Sequence, residues 1–446
     1  MAPSVFMLAV LILYVPNQGH LPSSLGIMGL NVFNILFALA VIVTILQPAA
    51  RHAAVGQRPP FTGTLLFYYG ILALALVIAF LRGTPHLLED IVAYKNLVTY
   101  SLLYFLAYYG VRNSGQIRFL LFVVLAVFVL AAIEAIVQGV GYGLHDYTHE
   151  KRASGPFGED AGNSNFAGVF YAVFASFALG IVLLGRQVLF RYRMLAAVAY
   201  GIGCLAILAT FSRQAFLVIG VTTLLLALRR NPLIAVGVVG FMLAYPLWAP
   251  QGVVERISMT QQTTVSGQEV LESSAASRYD LWNGAIEIIK RNPAGIGLNQ
   301  FQREIEPYLP EWIEARDAQN MYLRFAAEAG LQGLLAFMLV LAAFFRIGLW
   351  TRRLDHPADA KVLGTAFLVS TIAVCMGNIF SSTFAFGEIM ANYWVLAGLL
   401  SKYYMLAANE VVPRYAGTAA SVPPLERFRN VYARWQDGRG ESETGR

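Results

Sequence analysis

Phe119-Leu-Leu-Phe-Val-Val-Leu-Ala-Val-Phe-Val-Leu-Ala-Ala-Ile133 is fifteen residues long and holds no polar side chain. It lies within the run 117–139, close to the ~20 apolar residues that a helix needs to cross a bilayer. The run is continuous and does not alternate, so it reads as a helix and not as a barrel strand. Eleven more runs accompany it: 3–16, 28–47, 62–81, 94–111, 165–185, 193–211, 213–229, 232–249, 325–345, 362–380 and 388–407. With 57% hydrophobic and 13% charged residues, against roughly 25% charged in a soluble domain, the chain cannot hide its apolar surface from water. The expectation is an all-α polytopic membrane protein of about twelve spans.

Basic residues orient the map, because cytoplasmic segments collect Lys and Arg. With the N-terminus inside, the inner segments hold Arg51 and Arg58, Arg112 and Arg118, then Arg186, Arg191 and Arg193. Arg229 and Arg230 follow, then Arg346, Arg352, Arg353 and Lys361, and seven more from Lys402 to Arg446. That is 20 of the 32 basic residues, with at least two in every inner segment. Both termini are therefore expected in the cytoplasm of a bacterial cell, with residues 1–412 as the membrane domain and 250–320 as a long periplasmic loop. The polar, basic stretch 413–446 reads as a flexible tail at the cytoplasmic leaflet. The first run lacks a basic n-region and a small-residue cleavage site, and reads as a retained span.

The other twelve basic residues face outward against this bias: Arg82, Lys95, Lys151, Arg152, Arg213, Arg256, Arg278, Lys290, Arg291, Arg303, Arg316 and Arg324. Such a cluster points to an anionic ligand. Ordinary ion pairing is the alternative, since Glu255, Glu269, Glu272, Asp280 and Glu287 share the loop. Cys204 and Cys375 fall in spans, which leaves the loop without a disulfide or a thiolate metal site. No P-loop or strand-borne GxGxxG occurs. His145 and His149 share an outer loop without a further ligand and read as polar loop residues. Glu134 and Glu388 lie in or beside spans, where a transporter would need proton sites, but no internal repeat or pair of broken midplane helices accompanies them.

Four stretches can carry chemistry. Arg152-Ala-Ser-Gly-Pro-Phe-Gly-Glu-Asp-Ala-Gly-Asn-Ser-Asn165 is a loop whose asparagines can cap the next helix; capping leaves Arg152 unexplained. Thr210-Phe-Ser-Arg213 joins two spans with almost no loop, and an arginine there either snorkels or clamps a phosphate. Arg278-Tyr-Asp-Leu-Trp282 opens an amphipathic helix on the membrane surface, by the spacing of Leu281, Trp282, Ala285, Ile286 and Ile289. Asn292-Pro-Ala-Gly-Ile-Gly297 stops it; a structural cover over the bundle accounts for everything but Arg278. In Asp317-Ala-Gln319-Asn320-Met-Tyr322-Leu-Arg-Phe-Ala-Ala-Glu328-Ala-Gly330-Leu-Gln-Gly333, Asn320 is placed as an N-cap. Glu328 and the glycines are placed towards the protein interior.

In this order the four stretches resemble the O-antigen ligase and polymerase superfamily of bacterial envelope glycosyltransferases, over residues 150–345. The resemblance implies a GT-C-like fold and a metal-independent transfer without a cofactor. Its donor would be an undecaprenyl-diphosphate-linked glycan, and its acceptor a glycan or lipid A-core. Membrane lipid and a chain-length regulator are implied partners, and nucleic acid is not. Arg213 and Arg278 would hold the diphosphate, with Arg152 as a third. Gln319 and Asn320 complete the catalytic set, and Asn165, Tyr322, Glu328 and Lys95 the substrate-binding one. The ligases carry a histidine where this chain has Gln319. An amide is no general base, which turns the expectation towards a polymerase of lipid-linked repeat units. Asp317, Glu314, Glu328 or the diphosphate itself would then take the acceptor's proton.

Overall fold

The computed structural model describes residues 2–20, 31–47, 58–143, 147–148, 150–158, 163–185, 188, 190–258, 261–263, 269–271, 273–354 and 357–416. A helix stands at each of the twelve apolar runs. In chain order they are α1 (Pro3–Tyr14), α2 (Val32–Leu46), α3 (Thr62–Leu81), α4 (Leu87–Gly110), α5 (Ser114–Tyr142) and α6 (Asn163–Leu184). Next come α7 (Phe190–Thr210), α8 (Arg213–Arg230) and α9 (Pro232–Leu243). The loop segment contributes α10 (Gln251–Ser258), α11 (Ser273–Arg291) and α12 (Met321–Glu328), and the bundle ends with α13 (Gly330–Arg352), α14 (Ala360–Gly377) and α15 (Gly387–Ala416). Six of these, α3, α5, α6, α7, α13 and α14, are long and apolar enough to cross a membrane, and α1, α2 and α9 are shorter apolar helices. The chain is a multi-pass helical membrane protein. Its one departure from all-α among the described residues is an antiparallel ribbon of Gln261–Thr263 and Glu269–Leu271.

The most buried helix is α6, with 83% of its apolar window inside the protein. Its small residues explain this, because lipid gives helices no hydrophobic reason to associate and close backbone approach must do so instead. A Cβ at Gly168 would lie 2.9 Å from those of Ser212 and Ala215, and one at Gly180 would lie 2.6 Å from that of Ala366. Two buried hydroxyl contacts add to the packing: Ser176 shares a hydrogen bond with Thr222 at 2.7 Å, and Ser370 donates to the Val173 carbonyl at 2.9 Å. Helix α9, by contrast, leaves Leu233, Val236, Phe241 and Leu243 exposed, as a lipid-facing helix does.

The loop between α9 and α13 has its own core. Leu281, Ala285 and Ile288 of α11 pack with Ile296, Phe301, Ile305, Ala318 and Ala327. Protein therefore covers Leu281, Ala285 and Ile288 of α11, while Ile286 stays exposed. Backbone groups of residues 296–298 then fasten the loop to the bundle. Ile296 and Gly297 donate to the Ala327 and Glu328 carbonyls, and Leu298 donates to Ala75 of α3, at 2.9 to 3.0 Å. Gly297 has φ +112°, and a Cβ there would sit 2.6 Å from the Ala79 Cα, so glycine is required twice over. A second fastening is the buried carboxylate of Asp90, which accepts from Thr84, Asn299, Gln300 and Arg303 at 2.6 to 3.0 Å. At the opposite end, Arg118 of α5 pairs with Asp359 at 2.8 Å, ahead of α14.

The chain divides into two compact units at Tyr404. Helix α15 runs to Ala416, so residues 413–416 of the expected tail are helical, and the remainder of the tail lies outside the described residues. His145 and His149 lie outside them as well.

Candidate functional site

Eight of the twelve outward basic residues fall into two groups. Arg82 pairs with Glu304 at 2.8 Å, Arg303 with Glu89 and Asp90 at 2.7 and 2.9 Å, and Lys290 with Glu287 at 2.7 Å. Arg324 pairs with Asp317 at 3.0 Å and Glu328 at 3.2 Å. For these four, ion pairing is the explanation. Four others are grouped by charge: burial, and the positive charges of Arg256, Arg278 and Arg213, push Arg152 down to about 10, against an opposing contribution from Tyr147. Lys95 is part-buried on α4.

Each arginine is delivered by a different element. Arg152 is only 4% exposed and precedes α6. Its Nε donates to the Thr210 carbonyl at 3.0 Å and its Nη2 to Asn165 Oδ1 at 2.7 Å. The Asn165 carbonyl in turn accepts from Gln214 Nε2 at 2.9 Å. This joins the first stretch to the second.

Arg213 is the first residue of α8 and follows Phe211, whose φ of +50° is left-handed. A bulky side chain there carries strain of roughly 1–3 kcal/mol. The gain is a turn of two residues between α7 and α8, which sets Arg213 at a helix N-terminus. Positive backbone potential at that terminus adds to its own charge.

Arg256 closes α10 and is 5% exposed, its guanidinium 4.5 Å from the Tyr147 ring centroid. Tyr147 in turn packs edge-on against Phe211 with ring centroids 5.5 Å apart. Sequence reading counted Arg256 among the outward charges without singling it out. Nothing near it in the chain separates it from Arg303 or Arg324, and its aromatic partner lies before α6.

Arg278 and Trp282 stand one turn apart on α11, and therefore on one face. Trp282 Nε1 donates to the Ala318 carbonyl at 3.1 Å, and Arg278 Nε donates to Gln319 Oε1 at 2.7 Å. Gln319 has φ +48°, and its N–H donates to Asp317 Oδ2 at 3.0 Å. Phe211 and Gln319, two of the four non-glycine residues with left-handed backbone among the described residues, thus adjoin arginines of the group.

The other expected site residues hold the frame. Asn320 caps α12, its Oδ1 accepting from the N–H groups of Tyr322 and Leu323 at 3.0 and 3.1 Å. The Tyr322 hydroxyl donates to the Cys375 carbonyl at 3.0 Å, inside the bundle. Glu328 is 4% exposed and accepts from Arg324 and from the Phe301 N–H.

Four guanidinium groups meeting at one end of a helical bundle suit a ligand with several negative oxygens, because their planar forks match phosphate bidentately. Residues 196–338 match the family model described as O-antigen ligase. That segment, about a third of the chain, is similar to the O-antigen ligase family. The match spans Arg213, Arg256, Arg278 and Gln319, and so contains three of the four converging arginines. It supports a likeness to the O-antigen ligase and polymerase superfamily. A search of curated proteins finds no match.

Proposed function

We propose that this chain polymerises undecaprenyl-diphosphate-linked oligosaccharide repeat units into exopolysaccharide or O-antigen, on the periplasmic face of the inner membrane. The observation that carries the reading is the convergence of Arg152, Arg213, Arg256 and Arg278. These residues would grip the diphosphate of the growing chain's carrier lipid and stabilise the charge that develops as it leaves. An acceptor hydroxyl on the next repeat unit attacks the anomeric carbon with inversion. The new C–O bond forms as the bond to the diphosphate breaks, the electron pair leaves with the diphosphate, and the hydroxyl proton passes to a diphosphate oxygen. No step requires a metal or nucleotide sugar. The cytoplasmic clusters of Lys and Arg support this orientation.

Ligation of the same donor to lipid A-core is the second reading, favoured by the printed name of the matching family. Gln319 favours the polymerase, since an amide cannot take the acceptor's proton as a base. The test incubates purified protein with a synthetic undecaprenyl-diphosphate repeat unit and no other acceptor, followed by a glycan gel. A ladder of oligomers is the expected result. A single band that shifts only when lipid A-core is added would replace polymerase by ligase.

A further inference from the structure

We propose that Gln319 is a positioning residue, which orients Arg278 for the donor's diphosphate and takes no part in removing the acceptor's proton. The inference rests on the arginine reading given above and adds the role of a fifth side chain to it.

The geometry points this way from three sides. Gln319 Oε1 accepts from Arg278 Nε at 2.7 Å, which commits the amide oxygen to the guanidinium. The backbone is held from behind: the Gln319 N–H donates to Asp317, Asp317 binds Arg324 at 3.0 Å, and Arg324 binds the buried Glu328 at 3.2 Å. Trp282 fixes the same turn through the Ala318 carbonyl at 3.1 Å. A left-handed residue supported by two acids, an arginine and an indole presents its carbonyl oxygen in one place.

Tethering Nε sets the plane of the guanidinium fork. The Nη edge, which matches phosphate oxygens in pairs, is thereby given one orientation. Of the carboxylates near Gln319 in sequence, Glu314 is exposed, and Asp317 and Glu328 are already engaged. Asp317 accepts at both oxygens, and Glu328 is enclosed with Arg324 and the Phe301 N–H. Position 319 therefore serves the donor.

The test measures binding of undecaprenyl diphosphate to the purified full chain in detergent. Variants are Gln319→Ala, Gln319→Met, Gln319→Glu, Arg278→Ala and the pair Gln319→Ala with Arg278→Ala. Gln319→Ala should weaken binding about tenfold, the size of one hydrogen bond to a charged group. Gln319→Met should do the same while filling the same space, and Gln319→Glu, which keeps the acceptor oxygen, should restore binding. In the Arg278→Ala background, removing Gln319 should cost nothing more. The proposal is overturned if Gln319→Ala and Gln319→Met bind as the wild type does while turnover falls, which would place the residue on the acceptor. A full additional penalty in the Arg278→Ala background would also overturn it. Normal binding by Arg278→Ala itself would instead remove the arginine reading on which the proposal rests.

Discussion

Arg152 and Thr210 are bound side chain to backbone: the guanidinium Nε of a loop residue ahead of α6 donates, at 3.0 Å, to the last carbonyl of α7. That carbonyl is one of the acceptors a helix end leaves without an intrahelical partner. One residue thus ends a helix and brings a positive charge to the turn that starts α8. Arg152→Ala should therefore lower stability as well as transfer, by about 2 kcal/mol from the lost charged hydrogen bonds. Arg152→Lys should recover only part of it, since an ammonium cannot span Thr210 and Asn165 as a fork does. Thermal unfolding of the purified variants checks both.

Arg213→Ala and Arg278→Ala should leave the melting temperature near that of the wild type and reduce transfer about 10²–10³-fold, the range for losing one group that stabilises a developing anion. Retained turnover in either variant would remove that residue from the diphosphate site.

Gly297→Ala and Asn320→Ala should separate frame from chemistry. At Gly297 the added Cβ meets Ala79 at a φ of +112°, so destabilisation should exceed ~1 kcal/mol. Loss of the Asn320 cap should cost about 1 kcal/mol. In both variants the affinity for undecaprenyl diphosphate, measured on the folded fraction, should be unchanged. A selective loss of affinity in Asn320→Ala would return that residue to the site.

The pH dependence has a definite sign. Arg152 is held down at about 10 by burial and by its arginine neighbours, so it is fully cationic at neutrality and loses charge only as pH rises through about 10. Donor binding should stay level from pH 6 to 9 and weaken above that. A histidine at position 319 changes this. In Gln319→His the neutral imidazole can accept from Arg278, whereas the imidazolium repels it. Transfer should then fall as pH drops through about 6.5, a limb absent from the wild type. Rate–pH profiles of the two proteins make the comparison.

Much of the fold is legible from apolar runs alone, since each of the twelve coincides with a helix. The sequence singles out Arg213 and Arg278 by the stretches that surround them, and the cap at Asn320 by its position ahead of α12. Arg256 is not legible. Its neighbours in the chain look like those of Arg303 and Arg324, and only the fold decides that those two meet acids while Arg256 meets Tyr147. The burial of α11 also escapes sequence, because an amphipathic stripe reads the same whether lipid or protein covers it. Here Ile296, Phe301 and Ile305 cover it.

Glu134 binds His20 at 2.8 Å, and Glu388 is hydrogen-bonded by the Gln18 side chain. Glu134→Gln and Glu388→Gln should change glycan transfer less than about threefold, since neither belongs to the arginine group and each amide can still hydrogen-bond its partner. Ion-coupled uptake into vesicles that either change abolished would favour a transporter.

The most direct measurement is the release of undecaprenyl diphosphate from a lipid-linked glycan by the protein in vesicles, since polymerase and ligase alike must produce it. The wild type should release it in step with glycan transfer, and Arg213→Ala and Arg278→Ala should release almost none. No release with either a repeat-unit or a lipid A-core acceptor, or equal release by the arginine variants, would contradict the arginine group as the donor site.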